Sequence, residues 1–187
     1  MKPKVIAFTG KKGSGKSTAS AEAVKHLTGL GYKTVRINFK DALTRTMRAC
    51  LPNTLNLIGQ VYNLDVDSLF EHKPEIMRSL MQEVGTEIYR GLDDNWWVNQ
   101  YLETVAKLEE GTIVITDDVR FLNEASAINT FGGMIVRINR IDYEDSSNTG
   151  HVSETEMDKI EPHARISDKH KEDLEKSVRR LINSLYA

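Results

Sequence analysis

Short apolar runs alternate along this chain with longer stretches in which apolar residues recur at helical spacing. Val5-Ile6-Ala7-Phe8 opens the series and predicts a first strand over Val5–Thr9. A helix from Lys16 to Leu27 follows, and Gly29 and Gly31 supply its stop. Thr34–Asn38 reads as a second strand, and Asp41 to Cys50 as a helix ending near Pro52. From Pro52 to Gly91 the pattern offers no strand. Pro74 suits a helix start there, and Ile76, Met77, Leu80, Met81, Val84 and Ile88 recur at helical spacing after it. A further helix is predicted from Asp94 to Glu109. Thr112–Thr116 is then a continuous apolar run of the kind that forms a buried central strand. A helix over Asn123 to Asn129, a turn at Gly132-Gly133 and a strand over Met134–Ile138 continue the alternation. Residues 142–149 are polar and read as a loop, and a closing helix carries Leu174, Val178, Leu181, Ile182 and Leu185 on one face.

Such an alternation predicts an α/β fold, a parallel β-sheet flanked by helices. At 187 residues the chain fits one domain. Its core would comprise residues 1–39 and 111–187, with a helical insertion over residues 40–91 and a lid over residues 140–155. Net charge changes the picture only by exclusion. At −2 it leaves no polybasic surface, which argues against polymeric nucleic acid or an anionic membrane as the main partner. No apolar run approaches the ~18 residues of a membrane span, and the single cysteine, Cys50, suits a reducing cytoplasm. The expectation is a soluble cytoplasmic protein. The five histidines are scattered without zinc-site spacing.

The chemistry begins directly after the first apolar run. Gly10-Lys11-Lys12-Gly13-Ser14-Gly15-Lys16-Ser17 spells the phosphate-binding P-loop, G-x-x-x-x-G-K-[ST], between a predicted strand and a predicted helix. Glycines there let successive backbone N–H groups turn inward as an anion cradle, at which the helix points its positive N-terminus. Gly10, Lys12, Gly13, Ser14, Gly15, Lys16, Ser17 and Thr18 are therefore the candidate ATP-binding residues. Lys16 would reach the β- and γ-phosphates, and Ser17 would offer a hydroxyl to Mg²⁺.

P-loops serve motors, switches and kinases. The Asn-Lys-x-Asp base-reading motif of GTPase switches is missing, and strand Thr112–Thr116 ends in Asp117-Asp118-Val119-Arg120 rather than the Asp-Glu of an ATPase motor. Carboxylates at that end of a parallel strand face the ligand edge of the sheet, where one of them could hold Mg²⁺ or its waters. Asp117 is the metal candidate beside Ser17, and Asp118 a catalytic one. The cation of Arg120 near the same place suits an anionic acceptor better than attacking water. The alternative reading is that Asp117 or Asp118 caps the following helix and Arg120 is a surface ion-pair residue.

Taken in order, Leu80-Met81-Gln82-Glu83-Val84-Gly85-Thr86-Glu87-Ile88-Tyr89-Arg90, Trp96-Trp97-Val98, Asp117-Asp118-Val119-Arg120-Phe121-Leu122-Asn123-Glu124-Ala125 and His151-Val152-Ser153-Glu154 resemble the deoxynucleoside monophosphate kinases of tailed bacteriophages. The resemblance runs from the P-loop to the final helix. It implies a nucleoside monophosphate kinase-like fold in which the insertion binds the acceptor and a lid closes over the phosphates. It also implies transfer of the γ-phosphoryl group of ATP, with Mg²⁺, to a (d)NMP, in the host cytoplasm if the chain is phage-encoded. A homodimer is left open. Dephospho-coenzyme A kinase is the nearest alternative in layout, and a non-kinase nucleotide switch is the alternative from another class.

A monophosphate acceptor is already an anionic nucleophile, so catalysis reduces to positioning and charge neutralisation. That calls for cations around one point: Lys16, Arg90, Arg120 and Arg140. The resemblance assigns the segment of Thr86 and Arg90 to the acceptor pocket and an arginine after strand Met134–Ile138 to the lid, for which Arg140 is better placed than Arg137. Trp96 and Trp97 cannot share a helix face; family position favours Trp97 for stacking on a base. Lys40, at the ligand end of the second strand, is a further acceptor candidate, and Asp41 beside it reads equally well as a helix cap. Ser153 and Glu156 fit a capping box for a short helix. Ser167-Asp168-Lys169-His170 departs from the Asn-Asp-Gly-Thr of related kinases at a loop that lies against the donor base.

Overall fold

The computed structural model describes residues 4–141 and 155–186. The strands are β1 (Val5–Thr9), β2 (Thr34–Arg36), β3 (Ile113–Thr116), β4 (Met134–Arg140) and β5 (Ala164–Asp168), and they form one sheet in the order β2-β3-β1-β4-β5. Every pairing is parallel: Val5 lies opposite Val114 and Ile6 opposite Met134, which makes β1 the central strand. Its five residues are all buried, as a central parallel strand requires. The expected α/β architecture is therefore the observed one.

The chain divides into two compact units, residues 1–38 with 102–187, and residues 39–101. In the first, helices α1 (Lys16–Gly29) and α8 (Lys171–Tyr186) pack together on one face of the sheet. Ala19, Ala23 and Leu27 of α1 meet Leu174, Val178 and Ile182 of α8 over Ile6, Phe8, Ile115 and Ile138. The small residues on α1 let the two helices approach closely. The alternate strand residues Val5, Ala7, Val114 and Ile135 are buried as well, and α7 (Leu122–Thr130) packs against β4.

The second unit is all helix: α2 (Phe39–Cys50), α3 (Pro52–Tyr62), α4 (Val66–His72), α5 (Glu75–Gln82), a π-helical stretch (Glu83–Arg90) and the start of α6 (Trp96–Ala106). It has its own core of Met47, Leu55, Leu69, Met77 and Trp97. Each such side chain contributes roughly 1.5–3 kcal/mol by leaving water. Two connections bend through left-handed residues that are not glycine, Asn63 after α3 and Lys73 after α4. The sequence pattern predicted this all-helical stretch but not its division into short helices.

Two expectations are corrected. The second strand stops at Arg36, because side-chain bonds replace the backbone ladder beyond it: the Ile37 carbonyl accepts from the Thr116 hydroxyl and the Asp117 N–H donates to the Asn38 side chain, although the Ile37 N–H still reaches the Ile115 carbonyl. A fifth strand, Ala164–Asp168, was not anticipated. Only Ile166 is buried in it, so it shows the weak alternation of a short edge strand rather than an apolar run. The predicted lid over 140–155 falls almost wholly on residues 142–154, which lie outside the described residues, as do His151 and Ser153.

Candidate active site

At the carboxyl end of β1 the backbone turns through Gly10, Gly13 and Gly15, each at positive φ (143°, 76° and 102°). Gly10 is sterically obligatory: a Cβ there would lie 2.3 Å from the Ile138 carbonyl oxygen of the neighbouring strand. The loop delivers Lys16 and Ser17 to the first turn of α1. Lys16 folds back over the loop, its Nζ donating to the carbonyls of Gly10 at 2.6 Å and Lys11 at 2.7 Å. Lys12, Gly13 and Ser17 are exposed, while Gly15, Lys16 and Thr18 are half-buried. Ser14 is buried, and its hydroxyl has no hydrogen-bond partner. Such a cradle, with a cation across its mouth and the N-terminus of a 14-residue helix behind it, is chemically fitted to a polyphosphate.

The end of β3 lies beside it. The Thr9 hydroxyl donates to the Val119 carbonyl at 2.9 Å, tying the Asp118-Val119-Arg120 segment to the strand that enters the P-loop. Asp118 and Arg120 are half-buried there. Glu124, buried in the first turn of α7, accepts from the backbone N–H of Arg120 at 2.7 Å and of Phe121 at 3.1 Å, which fixes the backbone that carries Arg120. The Glu156 carboxylate accepts from the Leu122 N–H at 3.0 Å. Glu156 thus satisfies the start of α7, a role its S-x-x-E spacing from Ser153 did not announce.

Asp117 has different surroundings. Its carboxylate is buried, accepts from the Ser20 hydroxyl at 3.1 Å and is ion-paired with the Arg36 guanidinium on β2. Its backbone N–H donates to the Asn38 side chain at 2.9 Å. Arg36 escaped the sequence reading. The one signal for it was its place at the end of a strand whose ligand edge had already drawn attention to Lys40.

At the end of β4 the two arginines part company. Arg137 is buried, and its guanidinium donates to the carbonyls of Met157 at 2.7 Å and Ile160 at 2.9 Å, with Asp158 at 3.4 Å. It clips the 3₁₀ turn Glu156–Lys159 to the sheet. Arg140 is exposed at the strand's end, opposite Asp168 of β5. Gly10, Lys11, Ser14, Arg140, Met157 and Asp158 line a cavity of about 240 Å³ next to the P-loop. Ser167 and Asp168, expected in a loop, belong to β5, and the Ser167 hydroxyl accepts from Asn139 at 3.3 Å.

The remaining acceptor candidates belong to the helical unit. Lys40 is half-buried in the first turn of α2. Thr86 and Arg90 lie on the π-helical stretch, an uncommon geometry that recurs at functional sites. Gly85 sits where a Cβ would come 3.0 Å from a Leu43 methyl group. The buried Trp97 ring packs against Tyr89, and its Nε1 donates to the Gly85 carbonyl at 2.8 Å. Arg90 is buried and donates to the Asp94 carbonyl at 2.9 Å. Trp96 is the more exposed of the two indoles, at 40%.

The first unit thus brings the P-loop, Asp118, Arg120 and Arg140 to one edge of the sheet. No group of three or more His, Cys, Asp or Glu suited to a metal ion occurs among the described residues. The donors that would serve Mg²⁺ are Ser17 and a single strand-end carboxylate, a set that suits a cation carried largely by phosphate oxygens and water. No helix among the described residues is long and apolar enough to cross a membrane.

The sequence profile of the deoxynucleotide monophosphate kinase family matches residues 62–178. A protein of Acanthamoeba polyphaga mimivirus, itself provisionally described as a deoxynucleotide monophosphate kinase, is 30% identical over 174 residues, covering 83% of each chain. Among solved structures, the APS kinase of Mycobacterium tuberculosis is similar at 13% identity and a TM-score of 0.45, over 100% of this chain and 99% of that one. The shikimate kinase of Aquifex aeolicus matches at 16% identity and a TM-score of 0.44, over 98% and 99%.

Proposed function

Because this chain belongs to the deoxynucleotide monophosphate kinase family, we propose that it transfers the γ-phosphoryl group of ATP to a (d)NMP, yielding ADP and a (d)NDP. An acceptor phosphate oxygen forms the new P–O bond, and the bond from the γ-phosphorus to the β–γ bridging oxygen breaks. No general base is needed, since the attacking oxygen is already anionic near neutral pH. The chain's own contribution is to hold the donor and to neutralise charge as it spreads over the transferring group.

The observation that carries this reading is the meeting of the P-loop with Asp118 and Arg120 at one sheet edge, tied through the Thr9–Val119 bond. Lys16 would leave the Gly10 and Lys11 carbonyls for phosphate oxygens. The backbone N–H groups from Gly13 to Thr18 would face the β-phosphate. Arg120 and Arg140 would grip oxygens of the transferring or accepting phosphates in pairs. Mg²⁺, arriving with ATP, would supply further charge neutralisation, and Ser17 would hold it. Thr86, Arg90 and Lys40 would bind the acceptor, with Trp97 shaping their segment.

The test is a coupled ADP-release assay with Mg-ATP against a panel of dNMPs, NMPs and dephospho-coenzyme A. Release that depends on one or more dNMPs, and is lost in Lys16→Ala, is the expected result. Stimulation by dephospho-coenzyme A alone, or by no acceptor at all from folded protein, would overturn it.

A further inference from the structure

The pair formed by Arg36 and Asp117 has no part in the reaction as described. Fold stability does not account for it well. Asp117 is buried and charged, and a buried ion pair seldom stabilises a fold more than apolar side chains of the same volume would. What the pair does achieve is orientation. Asp117 is fixed from several sides: Asn38 holds its backbone, and Ser20 and Arg36 share one carboxylate oxygen. Ser20 is in turn anchored on the first turn of the P-loop helix, since its hydroxyl also reaches the Ser17 carbonyl at 3.3 Å. Ser20, sharing its single O–H between the two acceptors, thus ties the anchor to the nucleotide-binding helix.

Arg36 is the other end of that anchor. Its side chain is 42% exposed at the carboxyl end of β2, and among the described residues Asp117 is its partner. A guanidinium carries five N–H donors in a planar fork. One of its terminal nitrogens is engaged by Asp117, so the fork is held in one orientation while donors remain for a second anion. The place is the sheet edge where open α/β folds bind ligands. An arginine pinned from behind by a buried carboxylate loses less side-chain entropy on gripping a phosphate than a mobile one.

We propose that Arg36 is a phosphate-gripping residue of this site, and that Asp117 is its holder rather than a ligand of the cation that accompanies ATP. The inference rests on the kinase reading for its substrates but not for its test. The phosphate belongs either to the γ position of ATP or to the acceptor, two sources with one chemistry.

The test is calorimetric binding to the full chain of ATP and ADP, each with Mg²⁺ and with chelator, and of dNMPs. It compares wild type with Arg36→Lys, Asp117→Asn and the double variant Arg36→Ala/Asp117→Asn. The double variant leaves no unpaired buried charge, so it stays folded where Arg36→Ala alone could collapse. It should bind the gripped ligand about 10-fold more weakly, and Arg36→Lys should recover only part of that, because an ammonium lacks the fork. Asp117→Asn should weaken binding about threefold by freeing the arginine, equally with and without Mg²⁺. A loss for ATP but not ADP assigns the γ-phosphate; a loss confined to dNMPs assigns the acceptor. Unchanged affinity for every ligand in the double variant would overturn the proposal and leave the pair a packing feature. So would a loss in Asp117→Asn seen only with Mg²⁺, which would make Asp117 the cation's ligand. Wild type that binds ATP and dNMP yet releases no ADP would sink the kinase reading alone.

Discussion

The P-loop and the π-helical stretch Glu83–Arg90 are both segments of eight residues in unusual backbone conformations, and they are held by opposite means. The P-loop turns on its own glycines, which adopt positive φ without penalty, and Lys16 lies folded over the carbonyls of that turn. The π-helical stretch has helical dihedrals that any residue can adopt. Part of what keeps it in place comes from elsewhere in the chain: the Trp97 indole on the Gly85 carbonyl, and Leu43 closing on the glycine itself. A conformation encoded locally should survive the loss of a distant contact. One held from outside should not.

The largest effect that would sharpen this contrast is in the P-loop. Lys16→Ala should lower acceptor-dependent ADP release by about 10²–10³-fold while the melting temperature stays within about 2 °C, because the glycine turn does not need the lysine. A melting temperature that drops sharply would show the loop to be held by Lys16 after all. Next is Arg137, a long-range clip near the P-loop. Arg137→Met leaves the Ile160 carbonyl without its guanidinium donor and the Met157 carbonyl with the Ile160 N–H alone, and should destabilise the chain by about 2 kcal/mol, a fall of roughly 4–8 °C in thermal unfolding. A neutral result would mean that the 3₁₀ turn docks without it.

Trp97→Phe keeps an aromatic ring of smaller volume but removes the indole N–H that reaches the Gly85 carbonyl, at a cost of about 1–2 kcal/mol. Steady-state kinetics should show the acceptor KM rising several-fold while the ATP KM holds; equal changes in both would erase the distinction between the two segments. The smallest effect lies far from either. Burial raises the Tyr186 hydroxyl from 10.0 to about 12, with the neighbouring Tyr32 adding to the shift. The folded state thus keeps a proton that the unfolded state loses above pH 10, so this contribution is complete below pH 10 and fades as pH rises toward 12. Urea midpoints should fall across that window less steeply in Tyr186→Phe than in wild type.

These two segments also mark how far the chain could be read before its folding was known. The P-loop motif, the order of strands and helices and the all-helical stretch after residue 39 were legible because each leaves a local signature: glycines at fixed offsets, apolar runs, helical periodicity. Strand β5 was not, since an edge strand with one buried residue differs little from a loop. Nor was the π-helical geometry, whose sequence shows ordinary helical spacing.

At the site the division is finer. Lys16, Ser17, Asp118, Arg120 and Arg140 are candidates drawn from motif, resemblance and strand-end position. The partners of Asp117 were not, because Arg36, Ser20 and Asn38 come from separate elements and carry no mutual spacing. Likewise, nothing local distinguishes Arg137, buried and clipping a turn some twenty residues further on, from Arg140, exposed at the strand end. By itself the sequence determined the phosphate cradle and the α/β alternation, because glycine sterics and hydrophobic periodicity act between near neighbours. Only the tertiary structure decided which charges are buried and which are exposed at the sheet edge, because that depends on what each strand end meets from distant parts of the chain.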